Sequence, residues 1–135
     1  MNIKRGFVNT PDGQIEYREI GEGKPIIFMH ATPVSSAYFA NYFSLFPKNR
    51  RLIAMTTIGY GESSKPHKPY TTIQEYAQSV QWFLDGLAID NFDLFGTHTG
   101  GIIAIEVAIN NQERIDHLIL DEVGNYANPE GIELQ

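Results

Sequence analysis

The feature that most constrains this chain is a polar residue enclosed by glycines, Gly96-Thr97-His98-Thr99-Gly100, directly after an apolar run. The apolar residues predict a strand, and residues 101–109 predict a helix after the glycines. Glycine on each side removes the β-carbons that would otherwise keep strand and helix apart at a sharp turn. The pattern therefore predicts a tight strand-to-helix turn that presents the side chain of His98.

Strand-like and helix-like segments alternate along the rest of the chain. Short apolar runs predict strands over residues 6–10, 14–19, 26–29, 51–55, 91–96 and 117–120. Helices are predicted over residues 36–46, 73–87 (capped by Thr71 or Thr72) and 101–109, and the tail 124–135 is predicted to be a loop. This alternation is typical of an α/β fold, with a mostly parallel sheet and helices on both faces.

The start of the chain predicts an antiparallel hairpin that leads the sheet. Residues 11–13, Pro-Asp-Gly, join the first two strands with strong turn chemistry. In the second strand Ile15 and Tyr17 alternate with Glu16 and Arg18. We therefore expect one face of that strand to be exposed to water.

Composition excludes several classes of function. The 135 residues carry a net charge of −6, which argues against nucleic acid or an anionic membrane as a partner. The absence of cysteine excludes disulfides and thiol catalysis and favours a cytoplasmic location. No apolar run suggests a secretion signal or a membrane span. No spacing of residues predicts a metal or dinucleotide site, so we expect no cofactor and a small-molecule substrate or ligand.

Three motifs, in order and on the predicted elements, resemble those of the α/β-hydrolase family. Residues 30–36, His-Ala-Thr-Pro-Val-Ser-Ser, resemble the H-G-x-P-x-S-S loop after the family's third strand. Residues 58–63 resemble its G-x-G-x-S loop, and residues 96–100 match the G-x-S-x-G elbow that presents the nucleophile. The resemblance covers about residues 7–123. It identifies residues 1–135 as one partial domain, the N-terminal portion of the core, without the lid, the last strands and the catalytic histidine.

Several positions depart from the family pattern. His98 stands where the family has serine, cysteine or aspartate, Ala31 replaces the glycine of the first loop, and Thr56 replaces the usual acidic residue. A parallel sheet without its C-terminal half has an unpaired apolar edge. An oligomeric partner or a complementing C-terminal segment could cover that edge. We therefore expect the 135 residues to be a fragment that is inactive alone.

The resemblance implies roles for four residues. The backbone N–H groups of Thr32 and Thr99 correspond to the oxyanion donors. His98 is open to three interpretations: a nucleophile, a general base on water, or a residue left in a protein that has lost hydrolysis. Asp121 ends the last predicted strand, next to Glu122. In a branch similar to haloalkane dehalogenases the catalytic acid lies in about this place, so a carboxylate here is a candidate to orient a histidine.

The resemblance thus implies a hydrolase of a small, largely apolar carbonyl substrate of the ester type, once the protein is complete. Dehalogenation is not expected, because His98 and Thr99 replace the aspartate and tryptophan of that branch. Two alternatives stay open. The protein could be a non-catalytic relative that binds a ligand or partner, or the chain could be an inactive truncated product.

Overall fold

The computed structural model describes residues 2–124, so the predicted loop at residues 124–135 lies outside the described part except for its first residue. Six strands make one sheet: β1 (Lys4–Thr10), β2 (Gly13–Ile20), β3 (Lys24–Met29), β4 (Arg50–Met55), β5 (Phe92–Thr97) and β6 (Ile115–Asp121). Three helices accompany them: α1 (Ala37–Ala40), α2 (Ile73–Gly86) and α3 (Thr99–Asn110).

The sheet is mostly parallel, as predicted. The strand order is β1-β2-β4-β3-β5-β6. The hairpin strands β1 and β2 are antiparallel, and β2 joins β4 in the antiparallel sense. The strands β4, β3, β5 and β6 run parallel to one another. Because parallel strands end at the same edge, the loops after β3, β4 and β5 meet there, with Met29 paired to both Met55 and Gly96.

Helices cover both faces of the sheet, which also confirms the prediction. On one face α2 and α3 pack over a core that includes Ile27, Phe83 and Leu94, each without solvent exposure. The apolar stripe of α2 makes this contact, and the hydroxyl of Thr72 caps the helix by accepting the N–H of Glu75. On the other face Phe28 packs against aromatic rings from the α1 region and from β5: Phe39, Phe43, Phe46 and Phe95.

The predicted helix at residues 36–46 is wrong in its extent. The structure has one turn of α-helix at Ala37–Ala40 and a separate 3-10 turn at Phe43–Leu45. This segment is rich in Tyr, Phe, Asn and Ser, which have modest helix propensities. The path of this segment is therefore determined mainly by the burial of Phe39 and Phe43 against Phe28, and not by helix propensity.

The predicted wet face of β2 is also wrong. Glu16 is 1% exposed, and its neighbours Ile15 and Tyr17 are also buried. Loops from the sheet edge cover this face, and their hydroxyl groups pair with the Glu16 carboxylate or backbone, as in the case of Thr56 and Ser63. Alternation of apolar and polar residues therefore predicts an exposed face only where no other segment packs on the polar face of the strand.

The strand β6 lies at the edge of the sheet, and no other described strand pairs with its outer side. Its central apolar residues are well exposed: Leu118, Ile119 and Leu120 at 38%, 49% and 41%. Within residues 2–124, no helix combines the length and apolar composition needed to cross a bilayer.

Candidate active site

The side chain of His98 stands at a sharp turn between β5 and α3, as the glycine pattern predicts. β5 ends at Thr97, and α3 begins at Thr99 with His98 as its N-cap residue. The backbone of His98 has φ 51° and ψ −122°, a region that residues with a β-carbon seldom adopt. Its carbonyl oxygen accepts the N–H of Gly101 at 2.9 Å, so the strained turn is tied to the first turn of the helix.

The glycines around His98 are required by close backbone contacts. A β-carbon on Gly96 would lie 2.6 Å from the carbonyl oxygen of Gly100. A β-carbon on Gly100 would lie 2.5 Å from the carbonyl oxygen of His30 and would also overlap that of Met29. Glycine therefore lets α3 start directly against the end of β3, which brings the loop after β3 beside the turn.

The imidazole of His98 lies at hydrogen-bond distance from the carboxylate of Glu122. Nε2 of His98 lies 2.7 Å from Oε2 of Glu122, the residue directly after β6. Both side chains reach solvent, at 47% and 69% exposure. The sequence-based expectation for the carboxylate of the site was Asp121, the neighbour of Glu122 in the chain.

Asp121 turns its carboxylate to a different residue. Thr97 and Asp121 face each other in the parallel ladder, and Oγ1 of Thr97 donates to Oδ2 of Asp121 at 3.1 Å. The backbone carbonyl of Asp121 accepts the N–H of His98 at 3.2 Å. Asp121 therefore supports the turn through its backbone, while the carboxylate beside the imidazole belongs to Glu122.

Thr32 and Thr99, the expected oxyanion donors, are brought together across the site. The backbone N–H of Thr32 donates to Oγ1 of Thr99 at 3.0 Å, and the two hydroxyl oxygens are 3.3 Å apart. The N–H of Thr99 belongs to the first residue of α3, where N–H groups have no acceptor within the helix. The backbone N–H of Thr32 is therefore already hydrogen-bonded, with the hydroxyl oxygen of Thr99 as its acceptor.

His30 connects the loops after β3 and β4. Its imidazole is fully buried, with Nε2 accepting the N–H of Thr57 at 2.9 Å and Nδ1 donating to the carbonyl of Ala31 at 2.7 Å. A backbone N–H can only donate and a carbonyl can only accept, so the ring is the neutral Nδ1–H tautomer. Burial lowers the pKa of His30, and the bond to Ala31 and the charge of Glu16 oppose this only in part. The imidazole is a structural link.

A buried network of hydroxyl groups, which no sequence pattern predicted, supports the loop at residues 30–36. Arg18 donates to the hydroxyl of Ser36 at 2.6 Å, and the hydroxyls of Ser36 and Thr56 are 2.8 Å apart. Thr56 donates to Glu16 at 2.9 Å. Burial alone would raise the pKa of Glu16, but hydrogen bonds from Arg5 and Thr56 and the charge of Arg18 outweigh it and lower the pKa. A carboxylate from β2, that of Glu16, therefore lies beside position 56, where the family pattern has an acidic residue.

The family is decided by a match along most of the chain. The sequence model of the alpha/beta hydrolase fold family matches residues 24–134. This chain belongs to the α/β-hydrolase fold family. The strand-turn-helix around His98 and the meeting of the loops after β3 and β4 are therefore the hydrolase elbow and its neighbouring loops.

Three relatives illustrate what this hydrolase-fold chain is similar to. The 2-hydroxy-6-oxo-2,4-heptadienoate hydrolase of Pseudomonas putida is 28% identical over 105 residues, covering 76% of this chain and 38% of the relative. A haloalkane dehalogenase of Agrobacterium fabrum is 35% identical over 102 residues, covering 76% and 33%. The crystal structure of an N-acyl homoserine lactonase complexed with N-hexanoyl homoserine has a TM-score of 0.87 at 28% identity, covering 96% and 48%. This chain spans less than half the length of each.

Two concave surfaces lie near the hydrolase elbow. A cavity of about 370 Å³ on the α1 side of the sheet is lined mainly by aromatic residues, with Thr97 and Asp121 at its border. A shallow groove of about 430 Å³ lies along the loop after β3, between Pro33, Val34 and Tyr38. None of the described residues that line this groove is charged. Within residues 2–124, no group of three His, Asp or Glu side chains could hold a metal ion.

Proposed function

We propose that the complete protein is a cofactor-independent, cytoplasmic hydrolase of small, largely apolar carbonyl compounds of the ester type. The observation that carries this proposal is the position of His98, at the elbow beside the paired Thr32 and Thr99. The elbow aims one side chain at the reacting carbon, and here that side chain is an imidazole, a suitable base near neutral pH.

Each step balances with water as the only co-reactant. A ring nitrogen of His98 takes a proton from water while the water oxygen bonds to the carbonyl carbon. The carbonyl electron pair moves to its oxygen, and the N–H groups of Thr32 and Thr99 stabilise that oxyanion. The bond to the leaving oxygen then breaks, and His98 returns the proton to it. The products are a carboxylic acid and an alcohol.

The Thr99 hydroxyl has to release the Thr32 N–H before an oxyanion can use it. In the described structure that hydroxyl oxygen lies 3.0 Å from the Thr32 nitrogen, within the range expected between a donor and a bound oxyanion. The hydroxyl therefore marks a place where an oxygen acceptor fits, which supports the assignment of Thr32 as a donor.

The relatives support a carbonyl substrate. A lactone is a cyclic ester, and the heptadienoate named for the Pseudomonas putida hydrolase carries an oxo group. Both compounds therefore present a carbonyl carbon to a nucleophile. The uncharged groove beside Pro33 and Tyr38 favours an apolar group on the substrate.

A second candidate function is non-catalytic binding of a ligand or partner in the same site. The observation that favours it is again the Thr99 hydroxyl, which satisfies the Thr32 donor without substrate. In this case His98 would be a residue of the binding surface.

Hydrolysis of short p-nitrophenyl esters by the complete protein separates the two functions. We expect the wild type to hydrolyse p-nitrophenyl acetate, and His98→Ala to lose about a hundredfold in kcat because the base is missing. Equal rates in both proteins, or no rate in either, would remove His98 as a catalyst and favour binding.

His67→Ala is the matched control for this experiment. His67 is an exposed histidine in the loop between β4 and α2, so the same substitution there removes an imidazole away from the elbow. We expect it to keep the wild-type kcat. His98→Ser tests the rest of the site, since esterase activity in that variant would require an intact oxyanion hole and a second base.

A further inference from the structure

A buried carboxylate lies beneath the site and takes no direct part in the proposed reaction. Glu16, on β2, is almost fully buried. Its Oε2 accepts Nε and Nη2 of Arg5 at 2.7 and 2.6 Å, and its Oε1 accepts the hydroxyl of Thr56 at 2.9 Å. A well-packed apolar side chain would avoid the desolvation cost of a buried ion pair. The charge at this position therefore points to a role other than packing.

The Glu16 carboxylate fixes the direction of the hydrogen bonds that lead to the loop at residues 30–36. A carboxylate can only accept, so the single hydroxyl proton of Thr56 points to Glu16. The lone pairs of Thr56 Oγ1 then face the N–H and the hydroxyl of Ser36, at 2.9 and 2.8 Å. Arg18 donates to that hydroxyl at 2.6 Å, so Ser36 keeps its own proton for Thr56. With a cation at one end and a carboxylate at the other, the bonds of the network polarise one another in the same sense.

Two consecutive residues after β4 hold the two ends of this loop. Thr56 holds Ser36, the residue before α1, through its hydroxyl oxygen. Thr57 holds His30, directly after β3, because its N–H donates to Nε2 of the imidazole at 2.9 Å. Thr32, an expected oxyanion donor, lies in the chain between these two attachments. The place of its N–H relative to the elbow therefore depends on both of them.

The packing around the network leaves little room for another arrangement. A β-carbon on Gly61 would lie 2.9 Å from side-chain atoms of both Ser35 and Thr56. Ser36 and Thr56 have no solvent exposure. Bulk water therefore does not replace a partner that either hydroxyl loses, and the loop has to move instead.

We propose that Glu16 is a positioning residue of the reaction, which acts through Thr56 and Ser36 to hold the N–H of Thr32 where the oxyanion forms. This proposal rests on the proposed function of the site. A donor stabilises the oxyanion only at about 2.7–3.1 Å from it, so a small shift of the loop should lower kcat. The charge on this oxygen develops in the transition state and not in the bound substrate, so KM should change little.

The experiment moves the buried carboxylate one step along the network in the complete protein. Glu16→Gln removes the charge at nearly constant size. Thr56→Asp alone places two carboxylates side by side, an arrangement that disfavours their charged forms. The double variant Glu16→Gln/Thr56→Asp again has one carboxylate, which can accept from Ser36 directly and from the introduced amide. Glu113→Gln is the matched control, because Glu113 is an exposed glutamate before β6.

Kinetics with p-nitrophenyl acetate give the first measurement. We expect kcat to fall about tenfold in Glu16→Gln, a part of what one oxyanion donor contributes, and at least as far in Thr56→Asp. The double variant should regain most of the wild-type kcat, and KM should stay similar in all of these proteins. Glu113→Gln should keep both parameters.

The amide resonance of Thr32 in ¹H–¹⁵N NMR gives a second measurement, without substrate. It should shift in each single variant, return towards its wild-type position in the double variant, and stay in place in Glu113→Gln. Thr56→Val and Thr56→Ser test the same network if Glu16→Gln does not fold. Valine removes the hydroxyl and should lower kcat, whereas serine retains the hydroxyl and should keep kcat close to the wild-type value.

Three results would overturn the proposal. The first is a wild-type kcat in Glu16→Gln, and the second is a double variant no more active than the single variants. The third is a lowered kcat with the Thr32 resonance in its wild-type position. Equal kcat values in Thr56→Val and Thr56→Ser would contradict it as well. A wild type without esterase activity overturns the proposed function instead, and the Thr32 resonance then still decides whether Glu16 positions the loop.

Discussion

The backbone N–H of Thr32 donates to the hydroxyl of Thr99 at 3.0 Å, so one expected oxyanion donor is bound to a side chain of the elbow itself. Thr99→Val keeps the shape of this side chain and removes the acceptor. Because a substrate oxygen then no longer competes with the hydroxyl, we expect kcat/KM for p-nitrophenyl acetate to rise about two- to tenfold, the equivalent of one net hydrogen bond. Thr99→Ser keeps the hydroxyl and should resemble the wild type. A lower kcat/KM in Thr99→Val would show instead that the hydroxyl assists the reaction.

Gly100→Ala should destabilise the fold. The new β-carbon would lie 2.5 Å from the carbonyl oxygen of His30, a backbone atom that cannot move alone. We expect the free energy of unfolding, measured by urea denaturation, to fall by about 1–3 kcal/mol or more. Asn110→Ala, at the exposed end of the same helix, is the control and should change stability little. Wild-type stability in Gly100→Ala would contradict the close approach of α3 to β3.

His30 predicts a pH dependence of stability. Burial lowers the pKa of His30 in the folded protein, while the unfolded chain takes up a proton near pH 6.5. Below that pH the unfolded state binds more protons, so stability decreases as pH falls until the folded pKa is reached. The loss is about 1.4 kcal/mol per pH unit within this window. Urea denaturation of the wild type at pH 7.5 and 5.5 measures it.

The control for this pH dependence is a pair of glutamine variants. His30→Gln cannot take up the proton, so its unfolding free energy should change less between the two pH values. His67→Gln, in an exposed loop, should keep the wild-type difference. Equal differences in all three proteins would show that the buried imidazole is not the cause.

Thr56→Val tests the network of hydroxyl groups under the loop at residues 30–36. The substitution is nearly isosteric but removes the hydroxyl that donates to Glu16 and accepts the N–H of Ser36 at 2.9 Å. The Glu16 carboxylate and both the N–H and the hydroxyl of Ser36 lose a partner, so we expect a loss of about 1–3 kcal/mol in thermal or urea unfolding. Thr56→Ser retains the hydroxyl and should lose clearly less. Equal losses in both variants would attribute the effect to packing of the methyl group.

The sequence allowed prediction wherever a local steric or periodic rule decides the structure. The glycines at positions 96 and 100 predicted the elbow because no other residue fits that approach. The stripe along α2 and the cap at Thr72 predicted the helix for similarly local reasons. The parallel sheet followed from the alternation of elements.

What the sequence did not predict depends on contacts between distant segments. The burial of Glu16 arises from Thr56 and from Ser63, more than forty residues further along, whose hydroxyl accepts the Glu16 N–H. The choice between Asp121 and Glu122 depends on the register of β6 against β5 and on the backbone at Glu122. Neither leaves a pattern in the local sequence.

The positive φ at His98 also sets which residues directed evolution can install there. A side chain branched at its β-carbon is strongly disfavoured at φ 51° and ψ −122°, whereas glycine, which has no β-carbon, adopts such a backbone more readily. A library at this position therefore contains far fewer folded members than its nominal size. The backbone conformation therefore limits the residues that this position accepts, whatever their effect on activity.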